Sequence, residues 1–357
     1  MVAVIVFANP RDAERLVAGV PAAARAARAA NLAGLTACRI VADVAWVPSR
    51  RLRTEIARLA GAMQVGFGTI DADESGPVGP TAERVLVIDG ATSGDSAIGA
   101  VLDAKDVPAA CARMQAHDDA PARLDAAGRA ILRATAKPGD GIVSRLINRP
   151  ISRAISAVLL QFSGIRPLHA TCATAALALA MAFELATGSR AGQVWGALLF
   201  QSASIVDGVD GEIARATFHT SRSGAMIDSL IDAFTNLAFV FGLALNLAMQ
   251  GHIRSAGVGF AGLCVLAVGL GLIGRISAQR GGPFTFDVIK DHYRSGAAGL
   301  SSPWMRAATF ITSRDFFALV FVLMILAGFS ALILELFAAA ALLWLIAVVR
   351  AITAQQR

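Results

Sequence analysis

The residues most able to do chemistry lie between positions 207 and 232, where the chain reads Asp207-x2-Asp210-Gly211-x2-Ala214-Arg215-x8-Gly224-x3-Asp228-x3-Asp232. With residue frequencies of about 5–8% each, eight specified positions in this order recur by chance on the order of once in 10^9 windows. On a helix, Asp207, Asp210, Gly211 and Ala214 share an arc of about 100°. Gly224, Asp228 and Asp232, spaced by four, share one face of a following helix, and the segment between the two sets can turn the chain back. Two acidic faces then meet. Four carboxylates facing one another in a low dielectric raise one another's pKa, so they require compensation. Divalent cations supply it, and hard carboxylate oxygens select Mg2+ or Mn2+, which share their shells with substrate phosphates. Gly211 and Ala214 remove bulk beside the carboxylates, Gly224 does the same or lets helices approach closely, and Arg215 offers a fixed positive charge to a phosphate.

The elements that must hold these residues are membrane helices. The chain has 357 residues, 55% of them hydrophobic and 16% charged, with a mean hydropathy of +0.60, too apolar for an ordinary soluble domain. Charged residues recur every few positions before about residue 150 and are nearly absent from Leu168 to Ala186 and from Ala233 to Met249. Six spans are expected at 167–187, 191–213, 225–249, 256–278, 316–335 and 336–354, with only Glu335 marking the last turn. Before them, Gly141 to Arg153 reads as an amphipathic helix lying in the membrane interface, anchored by Ile142, Leu146, Ile147, Ile151 and Ile155. Lys137-Pro138-Gly139-Asp140-Gly141 is the expected hinge.

The net charge of +6 comes from a membrane-flanking pattern rather than a nucleic-acid surface. Arg145, Arg149, Arg153 and Arg166 precede the first span, and Arg215, Arg222, Arg275, Arg280, Lys290, Arg294, Arg306 and Arg314 fall on the same side, whereas the opposite loops offer Arg190 and Arg254. The positive-inside rule puts both termini and the aspartates in the cytoplasm. The opening MVAVIVFANP lacks the basic n-region of a signal peptide, which also keeps the amino-terminal part cytoplasmic. Cys38, Cys111, Cys172 and Cys264 have neither metal nor redox spacing and read as packed thiols.

Residues 1–136 read as an α/β domain on a mostly parallel sheet. Strands are expected at Val2 to Ala8 and Arg84 to Ile88, each followed by a helix, at Asp12 to Ala30 and Ser96 to Ala104. Asp89-Gly90 is a turn or a residual metal ligand. A helix over Ala120 to Lys137 leads to the membrane.

The aspartate pattern carries the complete signature of the CDP-alcohol phosphotransferase family, which the chain resembles from residue 137 to 354. That resemblance implies transfer of a substituted phosphoryl group from a CDP-linked donor to an alcohol, releasing CMP, with two metal ions held by Asp207, Asp210, Asp228 and Asp232. It makes Asp232, beside Asp228, the catalytic base toward the acceptor hydroxyl, and lines the cytidine diphosphate with Asp207, Gly211, Ala214, Arg215 and Gly224. The linker Lys137-Pro-Gly-Asp-Gly-x2-Ser-Arg-x2-Asn148-Arg149-Pro150-Ile151-Ser152 and the stretch SRDFFALVF at 313–321 resemble inositol phosphate-using members. These include phosphatidylinositol phosphate synthases and di-inositol phosphate synthases. The phrase AGVPAAARAARAANLAGL resembles the sugar-phosphate nucleotidyltransferase fold, although FANPRDAERL stands where such domains carry a glycine-rich phosphate loop, which favours a degenerate scaffold.

Two enzyme readings follow: CDP-diacylglycerol donating to a polyol phosphate such as inositol or glycerol phosphate, or a CDP-polyol donating to a lipid or soluble alcohol. An acidic-site cation transporter is the remote third, since it does not require Gly211, Ala214 and Arg215. Arg275, Arg294 and Arg314 meet either lipid headgroups or an acceptor phosphate. His219 and His292 read as surface or packing residues. Ala175, Ala178 and Ala182 suit either a homodimer contact or lipid.

Overall fold

The computed structural model describes residues 2–69, 84–92, 99–103, 106–115, 119–137, 140–279 and 314–355. Contacts divide the chain into two compact units: residues Met1–Ala136 with Arg153–Arg166 and Gly211–His219, and residues Lys137–Ser152 with Pro167–Asp210 and Thr220–Arg357. The helices over Arg149–Leu159 and Arg190–Thr217 therefore contribute to both.

In the first unit β1 (Val2–Val6), β4 (Ala37–Ala42), β5 (Gln64–Thr69), β6 (Arg84–Asp89) and β7 (Gly99–Asp103) form a sheet of order β5-β4-β1-β6-β7. Every pairing is parallel except β6 with β7. The expected parallel α/β domain is present, with two corrections. The helix expected at 12–30 is broken into α1 (Pro10–Glu14), a hairpin of β2 (Leu16–Val17) and β3 (Val20–Pro21), and α2 (Ala22–Leu32). Ala18 (φ 45°) and Gly19 (φ 85°) turn that hairpin with both central residues left-handed, as a two-residue I′ turn requires. The second correction concerns 96–104: residues 99–103 are strand β7 rather than helix, while 96–98 and 104 lie outside the described residues. Ala22, Ala23, Ala24, Ala26, Ala27 and Ala30 of α2 are all buried, small enough to let the helix lie close against the sheet. Helices α3 (Arg50–Leu59), α4 (Val107–Gln115) and α5 (Ala120–Ala134) complete this domain.

A π-helical turn over Ser144–Asn148 leads into α6 (Arg149–Leu159). Ser144, Asn148, Ser152 and Ser156, spaced by four, are buried, whereas Ile142, Leu146, Ile147, Ile151 and Val158 are exposed. Polar side in and apolar side out is the arrangement that an interfacial helix needs. Next come α7 (Pro167–Ala186), α8 (Arg190–Thr217), α9 (Arg222–Met249), α10 (Ile253–Gln279), α11 (Arg314–Leu326) and α12 (Ser330–Gln355).

Among the described residues four helices, α7, α9, α10 and α12, are long and apolar enough to cross a membrane. Helix α8 carries three carboxylates, at Asp207, Asp210 and Glu212, within its 28 residues, and α11 runs over 13 described residues, with residues 280–313 before it lying outside the described set. The turn expected beside Glu335 lies instead at Gly328, which is left-handed at φ 90°. Glu335 sits inside α12, because a single carboxylate does not end a helix, whereas glycine permits the left-handed residue that does.

Aromatic stacking binds the second unit, with Phe200 on α8 stacked on Phe239 of α9 at 4.3 Å and Phe239 on Phe321 of α11 at 5.6 Å. Leu185 fills a slot bounded by Gly196 and Gly242, where an added Cβ would approach its side chain to 2.6 Å and 2.9 Å. Such small-residue contacts let membrane helices pack closely. Gly242→Val is expected to destabilise the protein by about 1–3 kcal/mol through overpacking. Gly257→Val, where nothing stands within 4 Å, is expected to leave stability unchanged; thermal unfolding in detergent compares the two.

Candidate active site

The aspartates lie on two consecutive helices that reverse direction through Phe218–Ser221. Ser221 caps α9, its hydroxyl accepting from the Gly224 N–H at 3.0 Å, which opens a helix of regular pitch for Asp228 and Asp232. The structure places Asp228 facing Asp207 and Asp210, as the two helical faces predict. Asp210 is buried and its Oδ2 accepts from the Thr171 hydroxyl of α7 at 2.9 Å. Thr171 thus steadies one carboxylate, a role the sequence did not reveal.

Positive charge comes from the other end of the chain. Arg314, the first residue of α11, lies 3.4 Å from Asp207 Oδ1 and donates through Nη1 to Asp232 Oδ1. Lys137 adds a second cation close enough to act on Asp207 and Asp228. The sequence offered Arg314 only a headgroup or phosphate role, because 82 residues separate it from Asp232 and nothing in the intervening pattern predicts the contact. Next to it, Asp315 accepts from Asn148 Nδ2 and the Ser204 hydroxyl, each at 2.8 Å, and Gln201 donates to Asn148 Oδ1 at 2.9 Å.

The remaining motif residues follow on α8. A Cβ on Gly211 would come within 2.9 Å of the Arg215 guanidinium, so glycine gives that side chain its room. Arg215 Nε donates to the Thr135 carbonyl at 3.0 Å, and Ala214 accepts the His219 N–H through its carbonyl. Glu212, absent from the expected site, is fully buried and accepts from the Ser156 hydroxyl at 2.7 Å. Gly208 is a close approach point, where a Cβ would meet Arg149 Nη1 at 3.1 Å and Ser152 Oγ at 3.3 Å.

Among the described residues no cluster of three carboxylate, imidazole or thiolate groups already converges at metal-binding distance, and Arg314 stands among the carboxylates instead. The donor set nevertheless fits a hard divalent cation. It offers oxygen ligands from four carboxylates, and Asp207 Oδ1 is buried, ion-paired with Arg314 at 3.4 Å but not hydrogen-bonded.

A family model for CDP-alcohol phosphatidyltransferases matches residues 167–353, more than half of the chain. The chain belongs to the CDP-alcohol phosphatidyltransferase family. Curated relatives include a "Bifunctional IPC transferase and DIPP synthase" of Thermococcus kodakarensis, 37% identical over 128 residues, covering 35% of this chain and 28% of the relative. Proteins of the same description from Archaeoglobus fulgidus and Aquifex aeolicus are 39% and 35% identical over 124 and 134 residues, covering 33% and 36% of this chain. The matches span 23% to 29% of these three relatives' own length. Family and relatives agree with the sequence-based resemblance to CDP-alcohol phosphotransferases.

The other expected contacts fall differently. Arg275 is exposed, Arg294 and His292 lie outside the described residues, and His219 Nδ1 sits 3.0 Å from the Thr217 hydroxyl. At the hinge, residues 138 and 139 lie outside the described residues, while Asp140 pairs with Arg149 through bonds of 2.8 and 3.0 Å. Burial pushes the Asp140 carboxyl up, but the Arg149 bonds outweigh it and hold the group below the ordinary 3.8. A depressed carboxylate contributes stability that is present above its unfolded pKa and lost as pH falls through the folded value. Asp140→Asn is therefore expected to cost about 3 kcal/mol at pH 7 by stranding a buried guanidinium. It is also expected to flatten the loss of stability below pH 3.8, which thermal unfolding across a pH series measures.

Proposed function

We propose that the protein transfers a substituted phosphoryl group from a CDP-linked donor, foremost CDP-diacylglycerol, to the hydroxyl of a polyol phosphate such as inositol or glycerol phosphate. The observation that carries this reading is the opposition of Asp207 and Asp210 on α8 to Asp228 on α9, with Asp232 joined to Asp207 through Arg314, within a chain of this family. The acceptor oxygen forms the new bond to the transferred phosphorus, the bond from that phosphorus to the bridging oxygen breaks, and CMP departs with that oxygen. Asp232 takes the acceptor proton. Asp207, Asp210, Asp228 and Asp232 would hold two Mg2+ or Mn2+ ions, whose bound charge offsets that of the pyrophosphate and the departing CMP. Gly211 and Ala214 leave the helix backbone open to the nucleotide, Gly224 eases the same approach from α9, and Arg215 offers its charge to a phosphate. Arg314 supplies counter-charge to Asp207 and Asp232 and would be exchanged toward incoming phosphate. Holding the reactants in line accounts for much of the expected rate.

The same reading gives three parts: a cytoplasmic domain at 1–136, a hinge and interfacial helix at 137–166, and a membrane domain at 167–357 whose α7 to α12 cross the inner membrane six times. The arginine distribution supports a cytoplasmic site and cytoplasmic termini. The amino-terminal domain is read as a degenerate nucleotidyltransferase. In place of a phosphate loop, Asn9 caps α1 by accepting from the Asp12 N–H at 3.0 Å. Asp89 accepts from the Ala91 N–H and pairs with Arg123 at 2.6 Å, a turn rather than an open ligand. The bifunctional relatives favour one second reading, in which a CDP-polyol such as CDP-inositol is the donor and a lipid or polyol phosphate the acceptor.

Membranes containing the protein, given labelled CDP-diacylglycerol, Mg2+ and a panel of acceptors, are expected to form labelled lipid and CMP only with the right acceptor. Asp232→Asn is expected to slow the reaction about 10^2- to 10^4-fold, the range of general-base catalysis. CMP release that needs neither acceptor nor Asp232 would refute the mechanism, and transfer from CDP-inositol alone would select the second reading.

A further inference from the structure

Helix α8 does not end freely. Its last carbonyls lack intrahelical donors, as at every helix C-terminus, and the chain leaves through Phe218, a non-glycine residue held left-handed at φ 58°. The His219 N–H closes this end by donating to the Ala214 carbonyl at 3.0 Å. The first unit surrounds it with arginines. Arg25 of α2 is buried, donates through Nε to Val17 O at 2.7 Å and through Nη2 to Ala18 O at 3.1 Å, and reaches Ala216 O with the same Nη2. Arg58 of α3, steadied by Glu55 at 2.6 Å, donates to Thr217 O at 2.9 Å and Phe218 O at 3.3 Å. Arg28 stacks 3.8 Å over the Phe218 ring, with Arg25 also over it at 5.0 Å.

The β2–β3 hairpin completes the grip. Gly19 at its tip has no room for a side chain, since a Cβ would meet Leu160 at 2.6 Å and Thr217 Cγ2 at 3.0 Å. Cations are favoured at a helix C-terminus because they oppose its partial negative charge, and arginine suits several carbonyls at once through its planar array of donors. Within the first unit, Arg25, Arg28 and Arg58 converge on the end of the helix whose earlier turns bear Asp207 and Asp210, with Ala216 about 9 Å along the axis from Asp210.

We propose that Arg25, Arg28 and Arg58 are positioning residues, through which the amino-terminal domain fixes the end and rotation of α8 so that Asp207 and Asp210 stay turned toward α9. A continuous helix transmits rotation at its end to the turns before it. The domain thereby acts as a brace for the phosphotransfer site, whether or not it retains chemistry of its own. This deepens the proposed phosphotransfer reading and rests on it for its kinetic consequence alone.

The test uses full-length protein in membranes carrying Arg25→Met with Arg58→Met, beside Arg58→Lys, which keeps a donor for the carbonyls. Amide exchange over residues 214–219 is expected to quicken about 10-fold in the double variant while α12 is unaffected. Mn2+ binding followed by paramagnetic resonance is expected to weaken about 5-fold, and kcat to fall about 10-fold with acceptor KM held within about 2-fold. Arg58→Lys is expected to stay within about 3-fold of the unmodified chain in every readout. A folded double variant whose exchange, Mn2+ binding and kcat match the unmodified chain would overturn the proposal. Should the double variant not fold, Arg28→Leu and Gly19→Ala carry the same measurements, and unchanged values in both would overturn it equally. Absence of CMP release from the unmodified chain with every donor would defeat the phosphotransfer reading instead, leaving exchange and Mn2+ binding to decide this one.

Discussion

Everything in the membrane unit answers to the gathering of carboxylates in a medium that resists charge. Asp207, Asp210, Asp228 and Asp232 sit on two adjoining helices, and ionised carboxyls cannot share such a place without opposite charge. The protein provides Arg314 against Asp207 and Asp232, Lys137 near Asp207 and Asp228, and a hydroxyl donor from Thr171 to Asp210. In the proposed reaction, part of that cationic charge would give way to a metal ion.

The same constraint explains why polar groups recur where the hydropathy of the chain would exclude them. Helix α6 and the turn before it bury a stripe of serines and asparagine and expose isoleucines, an inversion suited to a helix whose outer face meets lipid. Within the second unit, Asn148 uses that stripe to hold Asp315 and Gln201. Within the first, Ser156 satisfies the buried Glu212. In each case the acid is accompanied by a donor, since an unsatisfied buried polar group costs more than the bond gains. Far from the aspartates, Asn246 donates to the Leu185 carbonyl at 2.7 Å and accepts from Gln193 at 2.9 Å, by the same rule.

The amino-terminal domain combines a mostly parallel sheet with an alanine-rich helix, and Asn9 and Asp12 hydrogen-bond to each other just after the first strand. Its arginines turn toward helix ends: Arg25 and Arg58 to the last carbonyls of α8, and Arg215 of α8 in return to Thr135 at the end of α5.

Local spacing by itself determined the acidic faces, the family they belong to and the apolar stretches, because helical periodicity and the length of a span are properties of consecutive residues. It misjudged elements decided by partners far along the chain. Residues 99–103 pair with β6 and so extend rather than coil, and the helix expected at 12–30 is interrupted by a hairpin whose tip seats against Leu160 and Thr217. The turn near the carboxyl end went to Gly328 rather than Glu335 because a backbone torsion, not a charge, ends a helix. Only the tertiary structure brought Arg314 to Asp232, Thr171 to Asp210 and Arg25 to the end of α8. Those contacts join residues that share no periodicity, and no pattern along a chain encodes which distant cation will meet which acid.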